Sequence, residues 1–285
     1  MDAGQGRSRP DRQAAHCDHR LSAGDPGLAR HPQAWPEQAR RRPPGRRRRA
    51  GGAGQRRDRR ADAGGEVNRL AVFDCDGTLV DSQANICRAM EATFAAHRLD
   101  PPDRSDIRRI VGLSLVPAIA RLLPEAGADL HEAMAAEYKR AFFAMRASNA
   151  LDPEPLYDGI LETIAALDDA GWLLGVATGK SDRGLGLILE HHGIRQRFVT
   201  LQTADRHPSK PHPAMLERAI AEAGAAPETT AMIGDTSFDM AMARAAGTHA
   251  LGVLWGYHTS GELLGAGAHH VADHADQLFA HLETL

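Results

Sequence analysis

The feature that most constrains this chain is an alternation. From residue 157 to about 254, short apolar runs alternate with stretches whose apolar residues recur every three or four positions. Trp172 to Thr178, Phe198 to Leu201, Ala231 to Ile233 and Ala250 to Leu254 read as strands. Between or before them, the groups Ile160/Ile164/Leu167, Leu185/Ile188/Leu189, Met215/Leu216/Ala219/Ile220 and the stretch Phe238 to Ala246 read as amphipathic helices. Glycines at 193 and 224 stop two of them. Repeated strand–helix units argue for a parallel sheet with helices on both faces. Ligands of such a sheet bind beyond the carboxyl ends of its strands.

One further strand precedes this block. Leu70, Ala71, Val72 and Phe73 are followed by Asp74, Cys75, Asp76, Gly77 and Thr78, so a buried run ends in two carboxylates and a turn. Carboxylates at a strand end suit a divalent metal or attack on phosphorus; Asp and Gly also simply favour turns. Residues 83–154 then read as four helices without a strand, marked by Ile86/Met90/Phe94, Ile107/Ile110, Ile119/Leu122 and Met134/Tyr138/Phe142. Ser82 is a candidate cap for the first, and Pro153 and Pro155 mark the exit. The expected organisation is an α/β core of residues 67–82 and 155–285, interrupted by a helical insert at 83–154.

Three other strand ends carry polar residues. Thr178, Gly179 and Lys180 follow one strand, where a hydroxyl and a helix N-terminus suit a phosphate oxygen, although Thr178 and Ser181 also fit simple capping. Lys210 lies in the Pro-bracketed run Ser209-Lys210-Pro211-His212-Pro213, just before a helix. An ammonium held there can neutralise a phosphate and keep a carboxylate ionised. Gly234, Asp235 and Asp239 follow the strand ending at Ile233, with the two carboxylates four residues apart across a strand-to-helix turn.

Taken together, Asp-x-Asp-Gly-Thr, a strand-end Thr, a Lys and Gly-Asp-x-x-x-Asp, in this order, resemble the motifs of the haloacid dehalogenase-like hydrolases over residues 69 to about 255. Lys-Pro-x-Pro and Gly-Asp-Thr-x-x-Asp-Met resemble the phosphoglycolate phosphatase-like branch. The resemblance implies a Rossmann-like core with an all-helical cap domain and an Mg²⁺-dependent phosphatase acting on a small phosphorylated metabolite. It implies Asp74 as nucleophile and Asp76 as general acid and base, with an aspartyl-phosphate intermediate. Mg²⁺ would be held by Asp74, the Asp76 backbone carbonyl and Asp235, with Asp239 and Thr78 in support. Thr178, Gly179 and Lys210 would bind phosphate. The acid at Asp76 favours ester chemistry over dehalogenation, because halide leaves unprotonated. A sugar phosphomutase of the same superfamily would keep both carboxylates. Within the insert, Arg108 to Ser114 is the stretch expected to face the site, its arginines available for a second anionic group. Cys75 stands where relatives usually carry a larger apolar residue, and reads as a buried filler or a peroxide-sensitive thiol.

Composition separates the ends of the chain. Residues 1–65 hold 16 Arg, no Lys and 7 acids, a net charge of 16 − 7 = +9, with no Val, Ile or Phe. The rest holds 18 basic and 30 acidic residues, a net charge of −12. So apolar-poor an extension is expected to be disordered. The expectation for residues 1–66 is translation from too early a start, with Val67 close to the true beginning; native N-terminal peptides from this region would contradict it. An arginine arm for nucleic acid is the competing reading, with nucleic acid the less expected partner because the charge lies outside the folded part. Three cysteines without CxxC spacing, and no apolar run long enough for a membrane span, lead to a reducing cytoplasm as the expected location.

Overall fold

The computed structural model describes residues 67–285; the arginine-rich extension lies outside the described residues. Strand β1 (Asn68–Phe73) is followed by four helices, α1 (Gln83–Ala96), α2 (Arg104–Ile110), α3 (Leu115–Leu122) and α4 (Ala128–Ala147). The chain then alternates through α5 (Ile160–Asp169), β2 (Leu173–Thr178), α6 (Asp182–His191), β3 (Phe198–Thr203), α7 (Ala214–Ala223), β4 (Ala225–Gly234), α8 (Ser237–Ala245), β5 (His249–Val253), α9 (Ser260–Gly265), β6 (His270–Ala272) and α10 (Asp276–Leu282).

The six strands form one parallel sheet in the order β3-β2-β1-β4-β5-β6. The first strand is therefore central and the order reverses beside it, where an open α/β sheet has its crevice. Phe73 is in register with Val176 of β2 and with Ile233 of β4. Asp74, Thr178 and Asp235 thus emerge within two residues of one level, at the carboxyl edge. The Asp74 N–H continues the ladder to the Ile233 carbonyl at 2.9 Å.

Both faces of the sheet are buried, which is why its strands read as continuous apolar runs instead of alternating ones. Phe73, Val176 and Ile233 pack on one side with Ile164, Trp172 and Leu278. Leu70, Val72 and Met232 pack on the other with Leu216 and Met240. The four-helix block has a separate cluster that includes Ile107, Ile119 and Met134. Phe238 at the start of α8 belongs to that cluster, so the core reaches into the helices through a residue next to Asp239. Among the described residues, no helix is long and apolar enough to cross a membrane.

Two local expectations are corrected, and one region lies beyond them. The strand read at Ala231 to Ile233 begins earlier, at Ala225, although its register with β1 shifts near Asn68. The elements after residue 254 fall outside the sequence reading: the edge strand β6 has only three residues, and α9 and α10 are short. Ser82 occupies the N-cap position of α1 but makes no capping hydrogen bond; its hydroxyl donates to Asp76 instead.

Candidate active site

At the carboxyl edge, Asp74, Asp235 and Asp239 each offer an oxygen within 4.8 Å of the others, and all three are buried. Lys210 lies among them with its side chain fully enclosed, 2.9 Å from Asp74 Oδ1 and 2.7 Å from Asp239 Oδ1. Asp74 Oδ1 also accepts from the Cys75 N–H at 2.6 Å, while Asp74 Oδ2 is buried without a hydrogen-bond partner. Asp235 is held at both ends: Thr78 Oγ1 donates to Oδ1 at 2.8 Å and the Tyr257 N–H donates to Oδ2 at 2.9 Å. Asp239 is committed elsewhere. Its Oδ2 accepts from the N–H and hydroxyl of Thr236, closing the capping box that starts α8.

The backbone is shaped around these carboxylates. A Cβ on Gly234 would lie 2.3 Å from the Asp239 carboxyl carbon, and one on Gly77, which has φ +79, would lie 2.3 Å from Asp235 Oδ2. Glycine is therefore needed at both, for close approach at the first and for approach and conformation at the second.

Electrostatically the cluster is overloaded with negative charge. Burial pushes Asp74 up to about 7, against the pull of Lys210. Burial, reinforced by Asp239 and Asp74, drives Asp235 well above the ordinary carboxylate range. Burial alone would discharge Lys210, but Asp239 and Asp74 outweigh it and keep the ammonium charged. The one ammonium pairs with two of the three carboxylates, and one oxygen of Asp74 has no partner. An all-oxygen donor set of this kind fits a hard divalent cation such as Mg²⁺. Both oxygens of Asp235 and both of Asp239 already accept hydrogen bonds, so within the cluster Asp74 Oδ2 is the carboxylate oxygen left without a partner.

Asp76 lies apart from this cluster, on the wall of a cavity of about 520 Å³ roofed by the helical block. Its Oδ1 receives the Ser82 hydroxyl and Lys180 Nζ, the latter at 2.7 Å. Thr178 is fully buried, and its Oγ1 accepts from the Lys180 N–H at 3.3 Å. A Cβ on Gly179 would meet the Leu113 carbonyl oxygen at 2.6 Å, so the loop after α2 rests directly on this strand end. Ser181, not Thr178, is the cap of α6, accepting from the Gly184 N–H at 3.1 Å.

Lys180, Ser82 and Tyr257 were not expected here. Lys180 was visible in Thr-Gly-Lys, but nothing in the sequence gave its direction. Of Arg108 to Ser114, Ile110 to Ser114 line the cavity, whereas the arginines do not: both are exposed, and Arg109 pairs with Glu262 at 2.7 Å. Cys75 is fully buried, and burial first, then Asp76, raises its thiol well above the ordinary value. That favours the filler reading, since the reactive form is the thiolate.

A family model described as haloacid dehalogenase-like hydrolase matches residues 71–253. The chain belongs to this family. The matched span contains Asp74, Thr178, Lys210 and Asp235, together with the helical block. A protein named "Probable phosphatase IndB", from Dickeya dadantii, is 36% identical over 69% of this chain and 86% of its own length. A protein named phosphoglycolate phosphatase, from Agrobacterium fabrum, is 33% identical over 67% of this chain and 82% of its own. Among solved structures, a predicted phosphatase from Clostridium acetobutylicum superposes with a TM-score of 0.69 at 25% identity, over 77% of this chain and all of that one. The six-stranded α/β core is thus the family's fold.

Proposed function

We propose that this hydrolase is an Mg²⁺-dependent phosphatase of a small phosphorylated metabolite, working through an aspartyl phosphate on Asp74. The observation that carries the reading is the Asp74 carboxylate: buried at the switch point of the sheet, charge-paired with Lys210, and keeping one oxygen without a partner. Phosphoglycolate enters as a candidate substrate through the name of the Agrobacterium relative, and a sugar phosphate is the other.

The chemistry divides between the two carboxylates. A carboxylate oxygen of Asp74 attacks phosphorus in line as the ester P–O bond breaks, and the Asp76 carboxylic acid gives its proton to the leaving oxygen. Asp76, now ionised, takes a proton from the water that attacks phosphorus in the second step; phosphate leaves and Asp74 is regenerated. Bound at Asp74, Asp235 and the Asp76 backbone carbonyl, the cation would offset phosphoryl charge and the excess charge of the carboxylates. Lys210, Thr178 and the backbone at Gly179 stabilise the transferring group, where most of the catalysis in phosphoryl transfer lies. Thr78 and Asp239 act through others: Thr78 orients Asp235, and Asp239 orients Lys210. The helical block is the cap that excludes bulk water. A reducing cytoplasm belongs to the same proposal and accords with Cys75 and Cys87, which are both free thiols.

The test is phosphate release from phosphoglycolate, sugar phosphates and nucleotides, with Mg²⁺ or with EDTA, beside an Asp74→Asn control. Release that needs Mg²⁺ and disappears in Asp74→Asn is expected. Isomerisation of a sugar phosphate without net release would replace the phosphatase with a phosphomutase.

A further inference from the structure

We infer that the alcohol half of the substrate carries a sizeable apolar group, seated in the cavity beneath the helical block. The inference rests on the phosphatase reading above and assigns a substrate class to the same site. The cavity meets the chemistry at Asp76, the group that handles the leaving oxygen, so whatever fills it is the leaving alcohol. Its volume of about 520 Å³ lies within the roughly 300–1,000 Å³ of pockets that enclose drug-sized ligands. A two-carbon acid would leave most of it to water.

The walls are apolar. Ile86 and Met90 come from α1, Val111 and Leu113 from the turn after α2, Tyr138 and Phe142 from α4. Six charged side chains also border it. Lys180 and Asp76 are paired with each other. The Arg146 guanidinium lies over the Phe142 ring at 5.8 Å, and that of Arg183 over Phe143 at 5.2 Å. Lys139 and Asp205 are exposed. Ser114 also lines the cavity, but its Oγ is buried away from it. A pocket whose walls are mostly apolar favours an alkyl or aryl group. The hydroxyls of a sugar would give up water along walls that are mostly apolar.

The experiment compares kcat/KM of the full chain, with Mg²⁺, on ethyl, butyl, hexyl and 2-phenylethyl phosphate, beside phosphoglycolate and glucose 6-phosphate. The alkyl esters share a leaving group of similar basicity, so differences along the series report binding of the apolar part. Burial of each methylene is expected to raise kcat/KM by up to roughly fourfold, placing hexyl phosphate at least about twentyfold above ethyl phosphate and above phosphoglycolate. Phe142→Ala is expected to lower the hexyl-to-ethyl ratio by about fivefold or more. A flat series, or a preference of about tenfold for phosphoglycolate or glucose 6-phosphate, would overturn the inference and leave the phosphatase intact. Absence of Asp74-dependent release from every compound would overturn both.

Discussion

Lys210 is where the energetics of single residues are most exposed to test. Its ammonium is enclosed with two carboxylates, and removing one member of a buried ion pair typically costs about 3–5 kcal/mol because the other charges stay behind. Lys210→Met is therefore expected to lose activity and to lower the urea midpoint of the metal-free protein by that order. A midpoint at or above wild type would mean that the pair is not needed to hold the carboxylates. Asp76→Asn should reduce kcat by about 10²–10⁴-fold, the usual range for losing a general acid. Lys180→Met should reduce it by less, with Asp74-dependent turnover retained, since Lys180 positions Asp76. At this scale much was legible: Asp74, Asp235 and Lys210 were singled out by the resemblance of their motifs, and the structure brings them together. What was hidden was side-chain direction. Arg109 turns to Glu262, Ser82 leaves its helix for Asp76, and Lys180 turns inward. Residue identity does not encode those choices; packing at the cap–core boundary does.

Among the elements, α9 shows how much a short helix depends on its cap. Thr259 accepts from the Glu262 N–H, and Glu262 accepts from the N–H and hydroxyl of Thr259. Those hydrogen bonds, the backbone one foremost, push Glu262 down to about 2 from the ordinary 4.5. A depressed carboxylate stabilises the fold above its unfolded value and loses that contribution as pH falls from about 4.5 towards 2. Because the side chain is partly exposed, the effect is modest. Glu262→Gln is expected to flatten the acid limb of a Tm-against-pH curve in this window and to leave the alkaline limb unchanged; an unaltered acid limb would contradict it. Thr259→Ala should cost about 1 kcal/mol in a urea titration. The core helices up to α8 were readable because each carries a buried stripe on one face. The three-residue strand β6 was not, because an edge strand this short carries almost no pattern.

At the scale of the whole molecule, the sheet order brings four sequence-distant strand ends into one crevice and lays the helical block over it. The parallel sheet and the helical interruption were both visible in the change of period near residue 155, since burial on both faces forces continuous apolar runs. The cavity was not visible, because its walls come from several helices whose apolar residues read equally well as core. The buried carboxylates predict a coupling between metal and stability. Mg²⁺ at about a hundredfold above its Kd should add about 2.7 kcal/mol, roughly 5–10 °C in Tm for a domain of this size. Asp235→Asn should abolish the shift while leaving the metal-free Tm at or above wild type. A wild-type Tm indifferent to Mg²⁺ and EDTA would remove the cation from the account. The central claim, that Asp74 carries the phosphoryl group, is tested most directly by quenching the protein during turnover, reducing with borohydride and sequencing the peptide around residue 74 by mass spectrometry. Homoserine at position 74 is the predicted result; phosphate release with homoserine elsewhere, or with none, would contradict it.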